Sequence, residues 1–154
     1  MQLMKMQPHR FCLNHNPKHL NRLAFFKHRT FNADDLYCFI DFLHRHYQKN
    51  ESLETAFFPR QNMSAEEGLI HFKEQFFKGE HLKRTEKHVS SPQQNSSCKR
   101  LNMYLRWMVR NDECGVDFGI WKTCSPSQLI CPIDVHVARV AKKLGLMQRK
   151  QTDW

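Results

Sequence analysis

Hydrophobic residues recur at helical spacing in several segments of this 154-residue chain, and polar connections separate those segments. The clearest case follows Asn32, whose side chain is suited to cap a helix, while Asp34 and Asp35 suit the positive end of the helix dipole. Its apolar positions, three or four residues apart, are Leu36, Phe39, Ile40, Leu43 and Tyr47. This spacing predicts an amphipathic helix that ends near Asn50.

Further helices are predicted by the same combination of a capping residue and an apolar stripe. Ser52 is expected to cap a short helix over residues 53–58, and Ser64 with Glu67 forms a capping-box pattern before a helix that Gly79 ends. Two more helices are predicted over about 97–110 and from Asp134 to Gly145. The three longer stripes are Leu69, Ile70, Phe72, Phe76 and Phe77; Leu101, Tyr104, Leu105 and Met108, predicted to face inward; and Val137, Val140, Ala141 and Leu144.

The remaining segments lack a helical pattern. Residues 79–97 are polar and are predicted to form a loop, and residues 111–131 are predicted to be irregular with a short extended piece at 128–130. No alternating stretch is long enough to predict a regular strand, so the predicted fold class is all-α, a helical bundle.

The predicted organisation is a basic segment of uncertain structure over residues 1–30, with a helical piece after Asn16-Pro17, and a single helical domain over residues 31–154. Thr152 and Asp153 look like a further N-cap close to the end of the chain. We therefore expect the chain to be a fragment of a longer protein, truncated at both ends.

Charge is distributed unevenly along the chain. The sequence has 24 Lys and Arg residues against 15 Asp and Glu residues, a formal net charge of +9. Residues 1–31 contain six basic and no acidic residues, and residues 78–110 contain eight basic and two acidic residues. Such blocks favour a positive face that binds a polyanion, nucleic acid above all. The alternative is a basic protein whose charge only keeps it in solution.

Composition excludes several classes of protein and of site. A hydrophobic content of 40% with twelve Phe residues argues against a disordered chain, and no apolar run approaches the length of a membrane span. Without a secretory signal, we expect a cytoplasmic protein whose six Cys residues are reduced. Since no Cys or His spacing completes a ligand pattern, we expect no metal and no cofactor. DNA is the expected partner, no membrane is expected, and the oligomeric state is left open.

Two stretches carry the candidate chemistry. Residues 92–102 read PQQNSSCKRLN, and residues 132–146 read PIDVHVARVAKKLGL. The second stretch resembles the segment of the helix-hairpin-helix DNA glycosylases, the endonuclease III and MutY-like superfamily, in which Asp-x-His begins a helix. Together with residues 106–110 and 115–121, both stretches also resemble a bacterial family of conserved hypothetical proteins of unknown function. That second resemblance covers most of the chain from about Phe31, and members of that family are longer at both ends.

The glycosylase resemblance implies an activity and a set of residues. It implies that Asp134 stabilises positive charge on the sugar, or activates water, as the base leaves; the alternative role is an ordinary helix N-cap. Gln93 and Asn95 fall at the two glycine positions of the hairpin. Ser97 falls at the position of the Schiff-base lysine, which implies a monofunctional glycosylase. The residues interpreted as contacting DNA are Asn95, Ser96, Lys99, Arg100, Arg106, His136 and Arg139.

Several residues keep a second interpretation. Arg100, Arg106 and Arg110 fall on or near one helical face, which either binds phosphates or is simply solvated. Trp107 and Trp121 are of the type that stacks on bases, but we expect both in the core. The predicted function is DNA binding with hydrolysis of an N-glycosidic bond. The alternatives are a non-catalytic nucleic-acid-binding module and a helical interaction protein.

Overall fold

The computed structural model describes residues 7–131 and 133–150, and most of its regular structure is helical. The α-helices in these ranges are α1 (Pro8–Asn14), α2 (Pro17–Asn21), α3 (Ala33–Tyr47), α4 (Glu54–Phe57), α5 (Ala65–Phe76), α6 (Lys99–Val109) and α7 (Val135–Lys143). Shorter 3-10 helices lie at Lys83–His88, Pro92–Gln94 and Pro126–Gln128. Two antiparallel strands of two residues each, β1 (Lys27–His28) and β2 (Phe31–Asn32), pair around Arg29, which has a φ of 56°. The all-α prediction is confirmed apart from this hairpin.

The predicted helix caps are present. Asn32 Oδ1 accepts a hydrogen bond from the backbone N–H of Asp35 at 3.2 Å, and Asp35 accepts one from the backbone N–H of Asn32 at 2.9 Å. Ser64 and Glu67 make the same reciprocal pair, at 3.1 and 2.7 Å, before α5. Because these hydrogen bonds join residues three apart, local sequence was sufficient to predict them. The predicted cap at Thr152 and Asp153 lies outside the described residues.

One local prediction is wrong, and another is correct only in part. Residues 79–97 are not simply a loop, because they contain two 3-10 helices and bury Thr85, Val89 and Ser91. The extended piece predicted at 128–130 is correct only in part, because Gln128 ends the 3-10 turn Pro126–Gln128, whereas Leu129 after it is extended, with φ −71° and ψ 145°. In both cases a distant partner decides the conformation: Thr85 Oγ1 donates to Asp35 Oδ1 at 2.7 Å, and Gln128 Nε2 donates to the carbonyl of Met63 at 3.0 Å.

The chain divides into two compact units. Unit 1 comprises the described residues 7–56 and 74–89, in which α1 packs on α3. Phe42 and Phe76 are both buried, and their ring centroids lie 4.5 Å apart. His44 Nδ1 lies 2.8 Å from the carbonyl oxygen of Cys12, so a side chain of α3 also bonds the backbone of α1.

Unit 2 comprises residues 57–73 and, from residue 90 onward, the described part of the remaining chain. Its core is built on Phe57, which is fully buried and stacks on Phe72 with centroids 4.0 Å apart and planes at 5°. Trp121 packs beside Phe57, with ring centroids 5.3 Å apart. Leu105 of α6 is also fully buried. This core fixes the position of α6, the helix on which the candidate site is built.

Candidate functional site

A surface groove of about 560 Å³ in unit 2 brings α6 and the start of α7 together. Its volume lies within the range typical of small-ligand pockets, roughly 300–1,000 Å³. The residues that line it are Lys99, Arg100, Met103, Tyr104, Trp107 and Asp134. Three of these residues, Asp134, Lys99 and Arg100, were predicted as site residues from the sequence. Asp134 lies about 35 positions from Lys99 and Arg100 along the chain, so only the tertiary structure brings the carboxylate and the two cations together.

Asp134 is the carboxylate of the groove, and the structure keeps it ionised. It is the N-cap of α7, and its Oδ1 accepts a hydrogen bond from the backbone N–H of Val137 at 2.7 Å. This hydrogen bond lowers the pKa of Asp134 below its usual value, and a weaker bond from the N–H of His136 and the positive charges of His136 and Lys99 act in the same direction. The side chain is exposed to solvent. It is therefore a fixed anion, accessible to a ligand and adjacent to a lysine.

The remaining groove residues lie on the exposed side of α6. That helix buries Asn102, Leu105 and Val109. Of the stripe predicted to face inward, only Leu105 is fully buried; Leu101, Tyr104 and Met108 are partly exposed, because the buried arc of α6 centres on the Asn102–Leu105–Val109 face.

The two tryptophans in the described part of unit 2, Trp107 and Trp121, differ in environment. Trp121 is 3% exposed, which confirms that it belongs to the core, whereas Trp107 is 38% exposed and the core prediction for it is wrong. Trp107 lies two positions from Leu105 and two from Val109, which turns it away from the buried arc of α6. An indole of this kind presents a flat surface to a ligand in the groove.

The stretch that resembles the glycosylase hairpin lies just before α6. Pro92–Gln94 forms a 3-10 turn, and Asn95 follows in the left-handed conformation, with φ 54° and ψ 26°. Asn95 is thus in the backbone region where glycine is favoured and asparagine is next best. Ser96 Oγ accepts a hydrogen bond from the backbone N–H of Cys98 at 3.3 Å, and the Ser97 carbonyl accepts one from Asn102 Nδ2 at 3.0 Å. These bonds fix the entry into α6, and none of Asn95, Ser96 and Ser97 lines the groove.

On α7, His136 and Arg139 are exposed and also lie outside the groove lining. The apolar stripe of this helix has the predicted spacing, but it is exposed: Val137 by 40%, Val140 by 55% and Leu144 by 67%. Ala138 is the buried residue of α7. The turn that follows is completed by Gly145, at a φ of 68°.

A second charged feature, at the other end of α6, was not predicted from the sequence. Asp117 is 1% exposed, and its Oδ2 lies 3.2 Å from Arg106 Nε and 3.5 Å from Arg110 Nε. Arg106 therefore pairs with a buried carboxylate and does not line the groove. Asp117 lies in the irregular segment 111–131, and no spacing pattern links it to the two arginines.

Metal and membrane sites were also sought within residues 7–131 and 133–150. No group of three or more His, Cys, Asp or Glu side chains is arranged there to hold a metal ion. None of the helices in this part of the chain combines the length and hydropathy needed to cross a bilayer.

The whole chain matches one family. Residues 1–154 match the family described as "Protein of unknown function (DUF2400)". The comparison with curated proteins and the comparison with solved structures each found no match.

Proposed function

Because the chain belongs to the DUF2400 family of proteins of unknown function, we propose its activity from the groove itself: it binds DNA along α6 and hydrolyses an N-glycosidic bond with Asp134. The observation that carries this proposal is the combination of an ionised carboxylate, two cationic side chains and an exposed indole in one groove. Each of these groups fits one part of a nucleotide.

The cations and the indole account for binding. Lys99 and Arg100 are placed to attract backbone phosphates, which supply most of the affinity of proteins for nucleic acid. Trp107 offers an exposed ring for a base that has left the helical stack. The groove is large enough to hold one nucleoside.

Asp134 accounts for the chemistry. As the C1′–N bond breaks, its electron pair leaves with the base and positive charge develops on the sugar. A carboxylate fixed by the Val137 N–H stabilises that charge or takes a proton from the attacking water, whose oxygen bonds to C1′. Ser97 has no amine to form a Schiff base, so the proposed reaction uses water as the nucleophile, in keeping with the monofunctional type.

The test measures base release and binding separately with the full chain. Duplex oligonucleotides carrying a panel of damaged and mismatched bases are incubated with protein, and abasic sites are detected by alkaline cleavage. We expect Asp134→Asn to abolish release while DNA binding changes by less than about threefold, since Lys99, Arg100 and Trp107 remain. Asp34→Asn is the matched control, because Asp34 is an exposed carboxylate in the first turn of α3, in unit 1.

A second candidate function is nucleic-acid binding without chemistry. It is favoured by the exposure of Asp134, because most catalytic carboxylates lie in sites that exclude water. Salt-dependent DNA binding with no base release across the panel, and no effect of Asp134→Asn, would support this candidate over the glycosylase. Absence of DNA binding would remove both and leave the helical interaction protein.

A further inference from the structure

Arg106 and Arg110 contact Asp117 with only part of their hydrogen-bonding groups. Both approach Oδ2 through Nε, and their side chains are 39% and 49% exposed. Among the described residues, none accepts a hydrogen bond from the terminal Nη groups of Arg106 or Arg110. Two guanidinium groups thus lie beside one buried carboxylate, and each approaches it through Nε. We call Arg106, Arg110 and Asp117 the arginine clamp.

The segment after α6 holds Asp117 in place. The backbone N–H of Phe118 donates to the carbonyl of Trp107 at 2.7 Å, and that of Trp121 donates to the carbonyl of Met108 at 2.9 Å. These bonds use carbonyl groups that the last turn of a helix leaves without intrahelical partners. The clamp is therefore built on a rigid connection, and the side-chain entropy of both arginines is already reduced before any ligand binds.

We propose that the arginine clamp binds a phosphate of the nucleic-acid backbone, as a second contact beside the groove. This inference rests on the proposed function, because it concerns the same DNA. A guanidinium matches phosphate oxygens with paired N–H donors, and two of them around one carboxylate leave a net positive charge. Two acidic residues stand at the start of the loop: Asp112 accepts hydrogen bonds from the backbone N–H groups of Cys114 and Val116, and Glu113 is exposed.

The position of the clamp fits a strand that also occupies the groove. Lys99 begins α6, Arg106 lies in its last turn and Arg110 is its C-cap, and their spacings of seven and four residues place them on one side of the helix over about 16 Å. Trp107 and Phe118 are exposed between or beside these cations, Phe118 by 56%. Aromatic rings interleaved with arginines are typical of surfaces that bind unstacked or single-stranded nucleic acid. We expect the clamp to hold the strand while the groove receives one nucleotide.

The experiment compares variants by fluorescence anisotropy with a labelled 15-nucleotide single strand and its duplex, over a series of salt concentrations. Asp117→Asn is decisive because the two explanations predict opposite signs. Attraction by net charge alone predicts tighter binding, since this variant gains one positive charge. A clamp predicts binding weaker by about five- to tenfold, since the arginines lose their anchor.

Two double variants complete the design. The double variant Arg106→Lys with Arg110→Lys keeps the positive charge but removes the paired N–H donors of the two guanidinium groups. We expect its affinity for DNA to fall at least threefold. Arg106→Gln with Arg110→Gln should weaken binding about tenfold and reduce the slope of log affinity against log salt by about one. The charge-matched control is Lys83→Gln with Lys87→Gln, two exposed lysines of unit 1, which should leave the slope unchanged. Melting temperatures of all variants identify any that fail to fold. The double variant Arg106→Lys with Arg110→Lys tests the clamp independently of Asp117→Asn.

The possible failures are distinguishable. Suppose that wild-type protein binds DNA. If the double variant Arg106→Lys with Arg110→Lys then binds equally well, or folded Asp117→Asn binds as tightly as wild type, the clamp is overturned and the groove proposal stands. If wild-type protein binds neither single strand nor duplex, the proposed function and the clamp are overturned together.

Discussion

Asp35 anchors the polar network of unit 1, and replacing it by alanine tests how much that network stabilises the fold. The carboxylate is fully buried. It accepts hydrogen bonds from Arg84 Nη2 at 2.5 Å, Thr85 Oγ1 at 2.7 Å and the backbone N–H of Asn32 at 2.9 Å, and His88 Nε2 lies at 3.3 Å. Asp35→Ala removes every one of these interactions and leaves the buried Thr85 hydroxyl without its acceptor.

The expected loss follows from the burial. Removing one partner of a buried ion pair costs about 3–5 kcal/mol, and the half-exposed Arg84 can return to water, which places the expected value near 3 kcal/mol. Asp34→Ala is the matched control, because Asp34 is exposed in the same helical turn. Asp34→Ala changes the helix propensity and the interaction with the helix dipole about as much as Asp35→Ala does. It should lower the free energy of unfolding by no more than about 1 kcal/mol. Urea unfolding followed by circular dichroism measures both values.

The pH dependence gives an independent check. Burial is the largest influence on Asp35 and opposes its ionisation, but the hydrogen bonds from Asn32, Thr85 and Arg84 outweigh it and lower the pKa of this carboxyl. A carboxyl with a lowered folded-state pKa stabilises the protein above its unfolded pKa, about 3.9, and that contribution is lost as the pH falls through the folded value. The difference between wild type and Asp35→Ala should therefore shrink as the pH falls below about 4. Equal stability of the two alanine variants at pH 7 would refute this reasoning.

Three further predictions concern unit 2, and urea unfolding measures each of them. Phe57→Ala should lose about 3–5 kcal/mol, because it opens a cavity in the stack with Phe72, whereas Phe118→Ala at an exposed position should change stability by less than about 0.5 kcal/mol. Gly68→Ala should lose about 1–3 kcal/mol despite its better helix propensity, because the new Cβ would overlap the buried ring of Phe58; a stabilised variant would contradict this packing. Asn95→Ala should lose about 1 kcal/mol and Asn95→Gly should not, because only glycine adopts a φ of 54° without strain; equal losses would contradict the left-handed assignment.

The parts of the fold that could be predicted are those fixed by residues close in sequence. The starts of α3, α5 and α7 were correct because Asn32, Ser64 and Asp134 bond to backbone N–H groups three positions away. The conformation of 83–94 was not predictable, because the polar residues there look like a solvated loop until Asp35 is placed beside Thr85.

The candidate site divides in the same way. Resemblance and helix capping identified Asp134, and charge identified Lys99 and Arg100. Trp107 was wrongly assigned to the core. Burial of an aromatic residue on α6 depends on which side of that helix meets the rest of unit 2, and the sequence alone does not show this. The roles of all these site residues stay predictions, and Ser97, His136 and Arg139 do not line the groove.

The sequence by itself determined that this chain is helical, basic and rich in aromatic residues, and it located the N-termini of α3, α5 and α7, because capping and apolar periodicity act within a few residues. Only the tertiary structure decided which charges meet. It paired Asp117 with Arg106 of α6 and with Arg110, the C-cap of that helix, and it placed Lys99 beside Asp134, 35 residues away in the chain. Sequence spacing sets the partner of a charge only within about one helical turn, as for Asp41 and Arg45. A distant partner is set by the packing of the hydrophobic core, which brings separate segments within a few ångströms of each other.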